Sequence, residues 1–239
     1  VYAGKYSEPD YELILSQGCD LAVENTMIYH TPEVKEQLEK FNIPVMVDYS
    51  SYEKNPLGRT EWVKLYGLLT GHEEEAEQAF EAEAGAFEAV SQEEPTGKTV
   101  AFFYITSTGE ANVRKSADYL PKMIELAGGS YVPQTADADE NALSTMNMQM
   151  ETFYAEAKDA DCLIYNSTID GELQTLDELL QKSPLLVDFK AVKNGNVWCT
   201  GKNMFQETMG LGNMILDIHA VLSEDAPDEA ELHYLHRLR

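Results

Sequence analysis

"YELILSQGCDLAVEN" (11–25) and "METFYAEAKDADCLIYN" (150–166) carry one order of signals, about 140 residues apart. Each opens on a glutamate near a helix start (Glu12, Glu151) and runs through a short helix to an aspartate (Asp20, Asp161). An apolar strand follows and closes on an asparagine (Asn25, Asn166). A helix feeding a continuous apolar run is half of a βαβ unit. Its recurrence predicts an α/β chain with two lobes.

Further apolar runs of strand length stand at "PVMVDYS" (44–50), "TVAFFYI" (99–105) and "NVWCT" (196–200). Like "DLAVEN" (20–25) and "DCLIYNS" (161–167), most are continuous rather than alternating, the signature of parallel strands covered on both faces. Helical patterns lie between them. "TPEVKEQLEKF" has Thr31 as cap, Pro32 at the first helical position and Glu33 in the first turn. "KSADYLPKMIELAGG" ends in a glycine pair suited to a helix C-terminus. "ALSTMNMQMETFYAEAKDA", "GELQTLDELLQK" and "QETMGLGNMILDIHAVL" read as three more, and "HYLHR" as part of a closing C-terminal helix.

From about residue 57 to 97 the alternation stops. "HEEEAEQAFEAEAGAFEAVSQEE" would make a helix roughly 33 Å long, with Ala76, Ala79, Phe80, Phe87 and Val90 on one face. The expected organisation is a partial N-terminal α/β lobe (1–56), a helical connector (57–97) and a C-terminal α/β lobe (98–239). Two strands and one helix cannot shield a sheet, so the first lobe is expected to be incomplete in this chain.

The net charge of −25 argues against a nucleic-acid footprint and against an anionic membrane as direct partner. No apolar run reaches the 18 residues of a membrane span. Cys19, Cys162 and Cys199 fit no zinc spacing and read as buried free thiols. "GLG" (210–212) lies in a helical pattern, and Gly-x-Ser-x-Gly is absent. "MNMQM" and the His233/His236 pair read as packing rather than as metal sites, and no resident cofactor or metal is expected.

The order and spacing of "MIELAGG" (123–129), "DADCLIYN" (159–166), "FKAVKNGNVW" (189–198) and "MILDIHAVL" (214–222) resemble the helical-backbone class of ABC-transporter substrate-binding proteins. That family captures ferric siderophores, haem and vitamin B12. The resemblance implies an extracytoplasmic location, as a lipoprotein or periplasmic protein, and missing sequence before residue 1. Its expected partners are a metal chelate or corrinoid and the ABC permease. It also implies that Glu12 and Glu151 dock on arginine pockets of the permease. Glu12 precedes Asp20 by eight residues; Glu151 precedes Asp161 by ten.

Ligands of α/β folds meet the loops at the carboxyl ends of strands. Those loops offer Asn25, Tyr29, His30, Tyr49, Tyr52 and Arg59 early, then Arg114, Asn166 and Phe205 late. Tyrosine and phenylalanine would supply flat apolar surface, and arginine would pair with carboxylates. In haem binders of the family a Tyr or His serves axially, which keeps Tyr29 and His30 in view. The alternative is an enzyme of the same architecture: a tetrapyrrole metal chelatase, using His30 with Glu24 or Glu53, or a nitrogenase-like metalloprotein.

Overall fold

The computed structural model describes residues 1–135, 144–223, 227 and 231–239. Within it the chain divides into two compact units, 1–53 and 54–239.

The first unit opens with a two-residue ladder, β1 (Gly4–Lys5) against β2 (Glu8–Pro9). Helix α1 (Tyr11–Ser16) starts where the Asp10 carboxylate accepts a hydrogen bond from Leu13 N at 3.0 Å, a side-chain cap for an otherwise orphan donor. Strand β3 (Ala22–Asn25), helix α2 (Pro32–Lys40) and strand β4 (Val45–Asp48) follow. β3 and β4 pair in parallel, from Ala22 opposite Val45 to Asn25 opposite Asp48. The core is small: Ile28, Val34, Leu38 and Ile43 are buried, with Tyr11, Ile14, Val45 and Val47 packed around them. Pro32 takes the first helical position as expected, but the Thr31 hydroxyl makes no cap bond.

The second unit begins with α3 (Pro56–Thr70) and α4 (Glu73–Ser91), joined through Gly71 in a left-handed conformation (φ +72°). α4 folds back on α3, where Gly67 lies so close to Ala76 that a side chain at 67 would collide. Ala76, Phe87 and Val90 turn inward as the apolar face predicts, whereas Ala79 and Phe80 are only half-buried. Phe87 and Val90 enter a core of this unit, so the span expected as a connector packs as one of its layers.

Behind that layer stands a seven-stranded sheet. β5 (Thr99–Ile105) is its centre. β9 (Cys162–Tyr165) pairs with it in parallel, and β10 (Val197–Thr200) in parallel with β9. The other edge of β5 is shared. β7 (Ser130–Val132) runs parallel beside Thr99–Ala101, and β6 (Ala111–Arg114) returns antiparallel beside Phe103–Ile105. β8 (Thr145–Met148) and β11 (Leu235–Arg237) close the two sides, antiparallel to β6 and β10. Alternate residues of β5 enter opposite cores. Val100 and Phe102 meet α4, α5 (Tyr119–Leu126) and α9 (Leu211–Leu222). Ala101, Phe103 and Ile105 meet α6 (Met150–Ala157), α7 (Leu176–Lys182) and α8 (Lys190–Lys193). All five apolar runs form strands, two in the first unit and three in the second, and the centre of the seven-stranded sheet is parallel with helices on both faces.

Three elements differ from the sequence expectation. "STMNM", read as helix, carries β8: Thr145–Met148 pairs antiparallel with β6, from Arg114 opposite Thr145 to Ala111 opposite Met148. Asn147 accepts from Asn112 Nδ2 at 2.7 Å across the ladder. Residues 142 and 143 of that expected helix lie outside the described residues. "TSTGEANVR", read as a loop, is the hairpin that carries β6, with Gly109 at φ +83° in its turn. "HYLHR", read as helix, is β11. The buried Asp217 of α9 accepts hydrogen bonds from the backbone N–H groups of His233, Tyr234 and Leu235, the tightest at 2.6 Å, and so fastens the strand.

Two of the three cysteines are buried free thiols, Cys162 and Cys199, the latter pushed up to about 12 by burial. Cys19 is free but only partly buried. No helix among the described residues is long and apolar enough to cross a membrane.

Candidate functional site

Arg59 of α3, Arg114 at the end of β6 and Phe205 in the turn Met204–Gln206 come from three distant parts of the sequence, and the second unit brings them together. They line a cavity of about 170 Å³ with Tyr119, Met204, Thr208 and Leu211. The Arg59 guanidinium lies 4.0 Å above the centre of the Tyr119 ring. The Arg114 guanidinium lies 4.5 Å from the Phe205 ring and 6.0 Å from that of Tyr119. Aromatic faces attract cations and leave the guanidinium edges, with their N–H donors, directed around the ring plane.

Arg114 is held from several sides. The Tyr131 hydroxyl accepts from Arg114 N and donates to Arg114 O, both at 2.9 Å. Arg114 Nη1 donates to Ser144 Oγ at 3.4 Å and lies 3.7 Å from Asp118 Oδ1. Asp118 is itself fixed, because its carboxylate caps α5 by accepting from Leu120 N at 3.1 Å. Burial pushes the Asp118 carboxyl above its ordinary value, and the positive charges of Arg114 and Arg59 oppose that rise only in part. Burial likewise pushes the Tyr119 phenol up to about 12, so it is neutral at physiological pH. A pair of guanidinium groups held against aromatic rings around a concavity is suited to an anionic planar group. At 170 Å³ the cavity is smaller than the 300–1,000 Å³ typical of whole drug-sized ligands. A guest of that size would enter it by one end only.

The remaining residues named from sequence fall elsewhere. Asn166 is buried, and its side-chain oxygen accepts from Thr168 N at 3.2 Å and Thr168 Oγ1 at 2.6 Å, so it serves its own turn. Asn25 does the same in the first unit, accepting from Met27 N at 2.8 Å. Tyr29, Tyr49 and Tyr52 form an exposed aromatic group there. The Tyr29 and Tyr49 hydroxyls are hydrogen-bonded at 2.6 Å, and the Tyr49 and Tyr52 rings meet edge-on at 6.0 Å. That hydrogen bond is the main reason the Tyr49 phenol lies above its ordinary value. His30 is exposed at the end of the turn after β3.

His236 Nε2 is hydrogen-bonded to Leu173 O at 2.7 Å, and His233 lies beside Asp217. Only His236 belongs to β11, and His233 precedes the strand. Among the described residues no three His, Cys, Asp or Glu side chains gather as a metal site. Glu12 and Glu151 are exposed, each second in its helix, α1 and α6.

Tyr119, Asp118 and Thr208 were not singled out in the sequence. "SADY" carries a signal for the first two, since an Asp directly before a helical pattern is a cap and places the next residue at the helix entrance.

A sequence profile of the periplasmic binding protein family matches residues 1–204. The chain belongs to that family. An uncharacterized lipoprotein of Methanocaldococcus jannaschii is 28% identical over 212 residues, 86% of this chain and 49% of its own length. A second uncharacterized lipoprotein of that organism is 27% identical over 173 residues, 69% of this chain and 42% of its own length. The chain thus spans about half the length of the curated relatives it matches.

Among solved structures, the periplasmic haem-binding protein HutB of Vibrio cholerae aligns with a TM-score of 0.69 at 18% identity, covering 89% of this chain and 81% of that one. A periplasmic haem-binding protein of Pseudomonas aeruginosa aligns at 0.67 and 16%, covering 99% and 84%. An ABC-type ferric hydroxamate transport protein of Saccharomonospora viridis aligns at 0.66 and 20%, covering 89% and 71%. At these identities the likeness establishes the shared α/β fold.

Proposed function

We propose that the chain is the ligand-capturing part of an ABC importer, which binds an anionic iron chelate or tetrapyrrole outside the cytoplasm and passes it to a membrane permease. The observation that carries this reading is the cavity in which Arg59 and Arg114 stand over Tyr119 and Phe205. Haem and many ferric chelates offer carboxylate or phenolate groups to such guanidinium pairs. Membership of the periplasmic binding protein family supports the capturing role. Lipoproteins among the relatives support a cell-surface location. Neighbours named for haem and ferric hydroxamate support the ligand class.

In this reading no bond is made or broken. Taken by itself, the first unit carries an exposed aromatic group, Tyr29, Tyr49 and Tyr52, which we read as a binding surface. Glu12 and Glu151, exposed in the first turns of α1 and α6, are the permease contacts.

The test titrates the full-length protein with haemin and with a ferric hydroxamate complex. Arg59→Ala with Arg114→Ala should weaken the ligand that binds by roughly tenfold or more, the value of a charged hydrogen bond. Unchanged affinity for both compounds in that variant, or no binding of either by the parent protein, would count against the reading.

A further inference from the structure

We propose that Asp118 sets the charge preference of the Arg59–Arg114 cavity, favouring a singly anionic group over a doubly anionic one. The inference rests on reading that cavity as the anion-binding end of the ligand site. Asp118 Oδ1 lies 3.7 Å from Arg114 Nη1, and the side chain is only 6% exposed. The cap bond to Leu120 N ties the carboxylate to the start of α5, so it cannot swing away when a ligand arrives. It therefore puts a fixed negative charge beside the guanidinium groups that receive the anion. One negative charge on the guest is answered by arginine; a second meets Asp118 in a poorly solvated place, where like charges repel strongly. The carboxylate also holds Arg114 in position, together with the Tyr131 hydroxyl and the Phe205 ring. Asp118 is thus a positioning residue and a selectivity element at once.

The ionisable groups around Asp118 are Arg59 from α3, Arg114 from β6, Tyr131 from β7 and Tyr119 on its own helix. Both phenols are raised by burial and stay neutral. Burial also raises the Asp118 carboxyl. Acidification therefore neutralises Asp118 while both arginines keep their charge, and the penalty on a dianion fades.

Benzenesulfonate and benzene-1,3-disulfonate test this, because their charges do not change with pH. Both are titrated by NMR into the full-length protein at neutral pH and at steps down through the ordinary carboxyl range. The parent protein should prefer the monosulfonate by roughly tenfold at neutral pH, with the preference shrinking in acid. Asp118→Asn keeps a cap acceptor for α5, and should erase both the preference and its pH dependence with little change in the unfolding midpoint. An Asp118→Asn protein that keeps the parent's preference overturns the proposal, and so does one that loses both probes. If Arg59→Ala with Arg114→Ala binds both probes as the parent does, the cavity reading itself fails and the proposal with it. Probes lost in the arginine variant but bound by Asp118→Asn with the parent's selectivity sink the role of Asp118 alone.

Discussion

Residues 11–25 and 150–166 share an order of residue types, yet the first segment lies at a surface and the second in a core. β3 alternates between half-buried and exposed positions, and Val23 is 42% exposed. All four residues of β9 are buried, with Leu163 and Ile164 at 0%. The neighbours account for the contrast. β3 has one strand partner, β4, whereas β9 lies between β5 and β10 with side chains entering cores on both faces. The polar positions diverge in the same way. Asp20 is exposed. Asp161 accepts from Thr99 N at 2.8 Å, Thr99 Oγ1 at 3.0 Å and Lys190 Nζ at 2.6 Å. Burial alone would raise the Asp161 carboxyl, but Lys190 and Thr99 together hold it below its ordinary value. Their unequal spacing has a plain structural basis: α6 has eight residues and α1 has six, so two extra residues lengthen the second helix. Both glutamates still occupy the second helical position. A repeated sequence pattern thus specifies local geometry, and the surroundings decide what each residue is worth.

The widest separation is expected between function and stability at the two helix starts. Glu12→Arg together with Glu151→Arg should abolish uptake in cells while the affinity for the captured chelate holds. Normal uptake would show that the shared glutamates are only first-turn residues complementing a helix dipole. Next in size, Leu163→Ala should cost about 2–5 kcal/mol in denaturant titration, against under about 0.5 kcal/mol for the exposed Val23→Ala. Equal losses would erase the contrast between the strands.

Asp161→Asn should cost about 1–2 kcal/mol at neutral pH, moderated because Lys190 is half exposed, and Asp20→Asn close to nothing. Because the folded-state carboxyl of Asp161 is lowered, its contribution is present above the unfolded value and disappears as pH falls through the folded one. The stability curves of parent and variant should therefore converge in acid; a gap that persists there would assign the loss to packing. Asn25→Gly should cost a few tenths of a kcal/mol, as for a turn cap, read from hydrogen exchange at Met27.

The α/β class was legible because continuous apolar runs such as "TVAFFYI" and "DCLIYNS" need cover on two faces, and only a sandwiched sheet provides it. β6, β8 and β11 were not. Each has three or four residues, several of them polar, and pairing with a neighbouring strand fixes its conformation more than its own composition does. "HYLHR" shows this most directly, since its strand geometry depends on Asp217, sixteen or more residues away in sequence. At the cavity, Arg114 and Phe205 were legible as a charged and an aromatic residue close to strand ends, whereas Arg59, expected in a loop, lies in the first turn of α3. Tyr119 was not, because it belongs to an amphipathic helix whose other apolar residues fill the core. Asn25 and Asn166 were visible as strand-end asparagines, but a side-chain amide there bonds to its own turn as readily as to a guest.

The fastening of β11 by Asp217 bears on the edge of the seven-stranded sheet. "VWCT" of β10 is buried at every position, and an uncovered ladder beside such a strand would be a template for pairing with another copy. Three residues, two of them His236 and Arg237, occupy that ladder with a short, polar rail that offers little for a second chain to copy. A carboxylate on a helix thereby keeps a buried strand from standing at an open edge.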